Sequence, residues 1–253
     1  MRRKTIYALL IVVAFGLVRL PVESGLERDL RRRGLHSGAL DLSLREQLGQ
    51  ASFVAVLGGF RSLVASLLAL AAQDAWEDVQ WGEVEGFYKI ITRLQPRVVN
   101  YWDSAGHHMA YNAASYYQYD EEQPPALRKK LYDGYVQRGI EFFEDGILNR
   151  PDNYNLLGRL AVICQDRLRP PNECRAADLF AEAISKKGIP KRYRRYLGYA
   201  LAKCPGREQE AYDLLRELYL EGAHHRKPSV LRDLAELEEK LDIPLGQRLI
   251  PGR

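Results

Sequence analysis

The sequence predicts an all-α fold built of stacked helical hairpins, and three observations predict it. Residues 83–94 set Val84, Phe87, Tyr88, Ile91 and Leu94 at the i, i+3, i+4, i+7 spacing of a helix with one buried face. Pro96 then ends that helix, since its ring removes an amide donor and restricts the residue before it. A further helix is expected from near Val99, with Trp102, Gly106 and Tyr111 at positions where a neighbour packs. Such a hairpin has no way to bury its apolar faces alone and needs another hairpin on each side.

The 253 residues suffice for one elongated domain or two small ones with a substantial core. Hydrophobic and charged fractions of 46% and 28% argue against wholesale disorder. A net charge of +4 is too small to make nucleic acid the expected partner. Fifteen tyrosines and three tryptophans suit helix seams and binding surfaces.

Taken in order, the chain begins with Arg2, Arg3 and Lys4, followed by an apolar run over 6–18 that Arg19, Leu20 and Pro21 close. Residues 1–22 read as a signal peptide or as an uncleaved signal anchor. As a helix, 5–22 spans about 27 Å, enough for a thin hydrocarbon core, and a single-pass anchor is expected. The basic N-terminus stays in the cytoplasm and exports the remainder of the chain, although Arg28, Arg31, Arg32 and Arg33 oppose that orientation. Residues 23–50 form a polar connector with a short helix at 42–48.

Residues 51–72 are apolar nearly all round and admit two readings, a second membrane span or a buried first helix over 60–76. Arg61 at mid-span costs about 2.5–3.5 kcal/mol on insertion, which favours the buried helix. The solenoid then runs over 51–242, with helices expected at 126–148, 153–167, 173–187 and 229–241. An irregular tail closes the chain at 243–253.

On these residues the chain resembles the tetratricopeptide-repeat family of 34-residue helix–turn–helix units. Pro96 matches a closing proline, Trp102 the opening aromatic of the next unit, and Gly106 the small residue where two helices meet. Ala176, Phe180 and Ala183 match the second-helix spacing of a third unit, with Pro190 two residues late. Leu197 and Gly198, then Ala211, Leu215 and Leu218, match a fourth. The resemblance covers about 62–222 and implies a right-handed α–α superhelix. A proline-bearing acidic insertion at 119–125 departs from the pattern.

Several clusters have a bland and a sharp reading. His107 and His108 point about 100° apart on a helix, and no carboxylate at i+4 completes a metal site, so a structural or surface role is expected. His224 and His225 are read as cations near a helix C-terminus. In 191–204 the stripe Tyr193, Tyr196, Leu197, Ala200 and Leu201 is apolar, leaving Lys191, Arg192, Arg194 and Arg195 for solvated faces. Cys164 and Cys174 flank the turn at 167–172, so a disulfide between them competes with free buried thiols. Cys204 has no evident mate.

No Gly-rich phosphate loop, nucleophile elbow or metal signature is present, so neither an enzyme nor a cofactor or metal is expected. The expectation is a membrane-tethered scaffold with its C-terminal domain outside the cytoplasm. It would bind a protein or peptide through Trp102, Tyr111, Tyr116, Tyr117 and Tyr154. By analogy with other anchored repeat proteins, its setting is a bacterial envelope assembly. The alternative is a permanent structural subunit of a membrane complex.

Overall fold

The computed structural model describes residues 59–250, which are helical and contain no strand. The N-terminal anchor, the connector with its short helix, residues 51–58 and the tail at 251–253 lie outside the described residues. Helices α1 (Arg61–Glu77) and α2 (Trp81–Leu94) form the first hairpin. The second pairs α3 (Val99–His107), a π-helical turn (His108–Ala113) and α4 (Ala114–Tyr119) against the long α5 (Pro125–Asn149). The third is α6 (Tyr154–Asp166) with α7 (Glu173–Ile184), and the fourth α8 (Arg192–Lys203) with α9 (Glu208–Glu221). A closing helix, α10 (Pro228–Lys240), packs on both α8 and α9.

The boundaries follow from local chemistry. Pro125 and Pro228 sit in the first turns of α5 and α10, where a missing amide costs nothing. The Asn153 side chain accepts hydrogen bonds from the amides of Asn155 and Leu156, both at 3.1 Å, and the Asn172 side chain caps α7 by accepting from the Arg175 amide at 3.0 Å.

One register recurs in the second helix of every hairpin. Val84, Tyr88 and Ile91 in α2, Gly139, Phe143 and Gly146 in α5, Ala176, Phe180 and Ala183 in α7, and Ala211, Leu215 and Leu218 in α9 share the spacing i, i+4, i+7. All twelve are buried. Pro96 and Pro151 each come five residues after the last position of their set. The α5 set escapes an alanine-based template because glycine stands at both small positions. It stands there for lack of room: a β-carbon on Gly139 would lie 2.5 Å from the Ala110 β-carbon and 2.7 Å from its backbone nitrogen.

Helix α1 differs from the expected buried helix. Its Val64, Ala65, Ala72 and Ala75 are buried, but Phe60, Leu63, Leu67 and Leu70 are exposed along one side. Among the described residues, no helix is long and apolar enough to cross a membrane. The described part of the tail, expected to be irregular, contains a 3-10 turn (Leu245–Gln247) and is docked on α10. There the buried Glu238 carboxylate accepts hydrogen bonds from the amides of Leu249 (2.6 Å) and Ile250 (3.3 Å).

The cysteine pairing is a correction. The disulfide joins Cys174 to Cys204, with Cα atoms 4.8 Å apart, and Cys164 is free and buried. Helices α7 and α8 pack on one another, and the start of the first meets the end of the second, where Glu173 and Lys203 also pair at 3.7 Å. Cys164 faces the core instead, and burial pushes its thiol up to about 11.

Candidate partner-binding face

The first helices of successive hairpins are tied side by side. Arg159 of α6 pairs with Asp103 of α3 at 2.9 Å, and Ser229 of α10 donates to the Tyr199 hydroxyl of α8 at 2.7 Å. Between α6 and α8 the contact is closer still. A β-carbon on Gly158 would lie 2.4 Å from the Tyr193 ring, so the missing side chain seats that ring against the α6 backbone.

Beside this contact runs an open groove of about 350 Å³, lined by Asn155, Arg159, Val162, Arg192, Tyr193 and Tyr196. Tyr154 stands edge-on to Tyr193 at 5.6 Å, and Tyr196 leans on Phe180. The Arg192 guanidinium lies 5.8 Å from the Tyr193 ring and has no carboxylate partner among the described residues. The groove thus offers aromatic faces and guanidinium donors together, a pairing suited to anchoring a peptide.

Farther along, the π-helical turn carries His107's neighbours. His107 stacks on Tyr111 with ring centroids 4.9 Å apart, and the Arg167 guanidinium covers the same tyrosine at 4.9 Å. Arg167 also donates to the Ala110 carbonyl (2.9 Å) and the Ser115 hydroxyl (2.8 Å), and its own carbonyl accepts from the Tyr132 hydroxyl (2.8 Å). One side chain from the end of α6 thereby holds the widened turn in place. Burial, reinforced by Arg159, pushes the His107 pKa down, and burial raises that of Tyr111. His108 points the other way, between Trp76 and Tyr88, and burial lowers its pKa too.

The five residues read from sequence as partner anchors do not share one surface. Trp102 is 5% exposed, donates its indole N–H to the Pro96 carbonyl at 2.8 Å and packs on Phe142, so its place is in the core. Tyr111 is half-buried under Arg167. Tyr116 is exposed beside Trp81, and Tyr117 stacks on Tyr135 at 5.1 Å. Tyr154 alone of the five touches the groove's aromatic cluster.

Sequence reasoning missed Arg159, Tyr193 and Tyr196 as groove residues. The signal was the Leu157-Gly158 pair, which repeats the Leu197-Gly198 spacing and marks where a neighbouring helix comes close. The acidic insertion borders a second cavity of about 320 Å³ that includes Gln118, Pro125, Arg128 and Tyr132. Its Asp120 carboxylate accepts from the Glu122 amide at 3.2 Å.

No protein-family model matches the chain, and no curated protein is significantly similar to it in sequence.

Proposed function

We propose that this chain is a non-enzymatic scaffold of tetratricopeptide-like hairpins, tethered to a membrane by its N-terminal segment, that holds a protein or peptide partner on its first-helix face. The observation that carries this reading is the uncovered groove between α6 and α8, where Arg192 and Tyr196 remain exposed beside a rigid, glycine-seated Tyr193. The common register of the four second helices supports the repeat reading. The disulfide between Cys174 and Cys204 supports a domain outside the cytoplasm, where such bonds persist, and so an envelope setting.

The test is a photo-crosslinking amino acid placed at Tyr196 in the cell, with Leu148, 78% exposed on α5, as the control. A discrete adduct at position 196 and none at 148 is expected. Equal labelling at the two sites would sink the groove assignment.

A second reading, a permanent subunit of a membrane complex, is favoured by the exposed stripe Phe60, Leu63, Leu67 and Leu70. It requires a partner that stays bound in stoichiometric amount through a high-salt wash of the full-length chain. An exchangeable adaptor would lose it.

A further inference from the structure

A second group of chemically capable side chains lies away from the groove, where α9 ends. Gly222 takes φ +140°, a conformation that side-chain-bearing residues rarely adopt, and reverses the chain into a 3-10 turn (Ala223–His225). That reversal brings the rings of His224 and His225 to 4.1 Å and carries them back over Glu221. One ligating atom from each of the three residues lies within 4.8 Å of the other two. Tetrahedral zinc places its nitrogen and oxygen ligands about 3.4 Å apart; Glu221 Oε2 and His225 Nε2 already stand 3.3 Å apart, so rotation of the exposed His224 closes the set.

We propose that Glu221, His224 and His225 bind one divalent transition-metal ion of the zinc class, through Glu221 Oε2, a ring nitrogen of His224 and His225 Nε2. The independent observation is His225 itself. It is fully buried, its Nε2 makes no hydrogen bond, and that atom stands 3.3 Å from Glu221 Oε2. Native interiors rarely leave such an atom without a hydrogen bond.

The surroundings fit an ion. Arg194 holds Glu221 Oε1 at 2.5 Å, which fixes the carboxylate and leaves Oε2 toward the imidazoles, the usual task of an outer-sphere partner. Glu217 pairs with the same arginine at 3.0 Å, so Glu217 and Glu221 together offset Arg194 and Arg195. Two imidazoles and a carboxylate suit zinc, cobalt or nickel and leave a fourth position for water.

Arg195 sets a condition on binding. Its Nη1 lies 3.2 Å from His225 Nδ1, and a guanidinium only donates, so Nδ1 accepts and the ring proton sits on Nε2. Ligation therefore transfers that proton from Nε2 to Nδ1 and displaces Arg195; the ring is neutral before and after. Arg195 and the metal compete for the same imidazole.

The experiment titrates Zn²⁺ into the full-length chain, stripped with chelator, by calorimetry at neutral pH, alongside His224→Ala and Arg195→Met. Wild type is expected to bind one ion saturably, with a rise in melting temperature. His224→Ala, an exposed change, should weaken binding by more than the about 10–100-fold that loss of an outer-sphere partner costs. Arg195→Met should bind more tightly than wild type. Absence of saturable binding, equal affinity in His224→Ala, or weaker binding in Arg195→Met would each overturn the assignment.

Discussion

Helices α1 and α6 are both rich in leucine, yet the structure treats them in opposite ways. Leu156, Leu157, Leu160 and Ile163 of α6 are at most 1% exposed, whereas Leu63, Leu67 and Leu70 of α1 are 54–65% exposed. The difference is in neighbours. Among the described residues, helix α6 is packed by α3, α5 and α7 and approached by Tyr193 of α8, while α1 rests mainly on α2. In a stack, burial is set by the position of a hairpin in the array as well as by the apolar character of its helices. Full burial of one leucine is worth about 1.5–3 kcal/mol, so the two helices differ greatly in what holds them.

The comparison breaks first at the core of α6. Leu160→Ala is expected to cost about 2–5 kcal/mol in thermal or denaturant unfolding, since its side chain is only 1% exposed. Loss of the cross-link between α7 and α8 in Cys204→Ser should cost about 3–4 kcal/mol for a loop of 30 residues, whereas Cys164→Ser should leave the sensitivity to reductant intact. Gly139→Ala, which drives a methyl group into the Ala110 backbone, should cost about 1–3 kcal/mol. At the other extreme, Leu67→Ala on α1 should shift stability by no more than about 0.5 kcal/mol.

Acid sharpens the same contrast at the C-terminal end. Lys240, with backbone amides, holds the Glu208 carboxyl down to about 2 from its ordinary 4.5. A lowered carboxyl stabilises the fold above its unfolded value and ceases to do so as pH falls through the folded one. The α9–α10 contact should therefore weaken between about pH 4.5 and 2, and Lys240→Met should reduce that dependence in an acid-unfolding curve while the part due to the backbone amides remains.

Much of the helix plan was legible. Expected helices at 126–148 and 229–241 match Pro125–Asn149 and Pro228–Lys240, because prolines and apolar stripes act locally. The π-helical turn was not legible, since its widening is held by Arg167 from another hairpin. The cysteine pairing failed for a similar reason. The turn at 167–172 suggested Cys164 and Cys174, but the bond forms between one hairpin and the next. At the candidate face, Trp102 was read both as a packing residue and as a partner anchor and fills the core, whereas Tyr196, read as part of an apolar stripe, lines the groove. His224 and His225 were legible only as cations near a helix C-terminus, and it is the reversal at Gly222 that brings them back over Glu221.

The most direct test of position-dependent burial is native-state hydrogen exchange on the full-length chain. Amides of α6 should exchange only on global unfolding, and those of α1 through local opening at much lower free energy. Equal protection in the two helices would contradict the claim that neighbours in the stack decide which leucines are held.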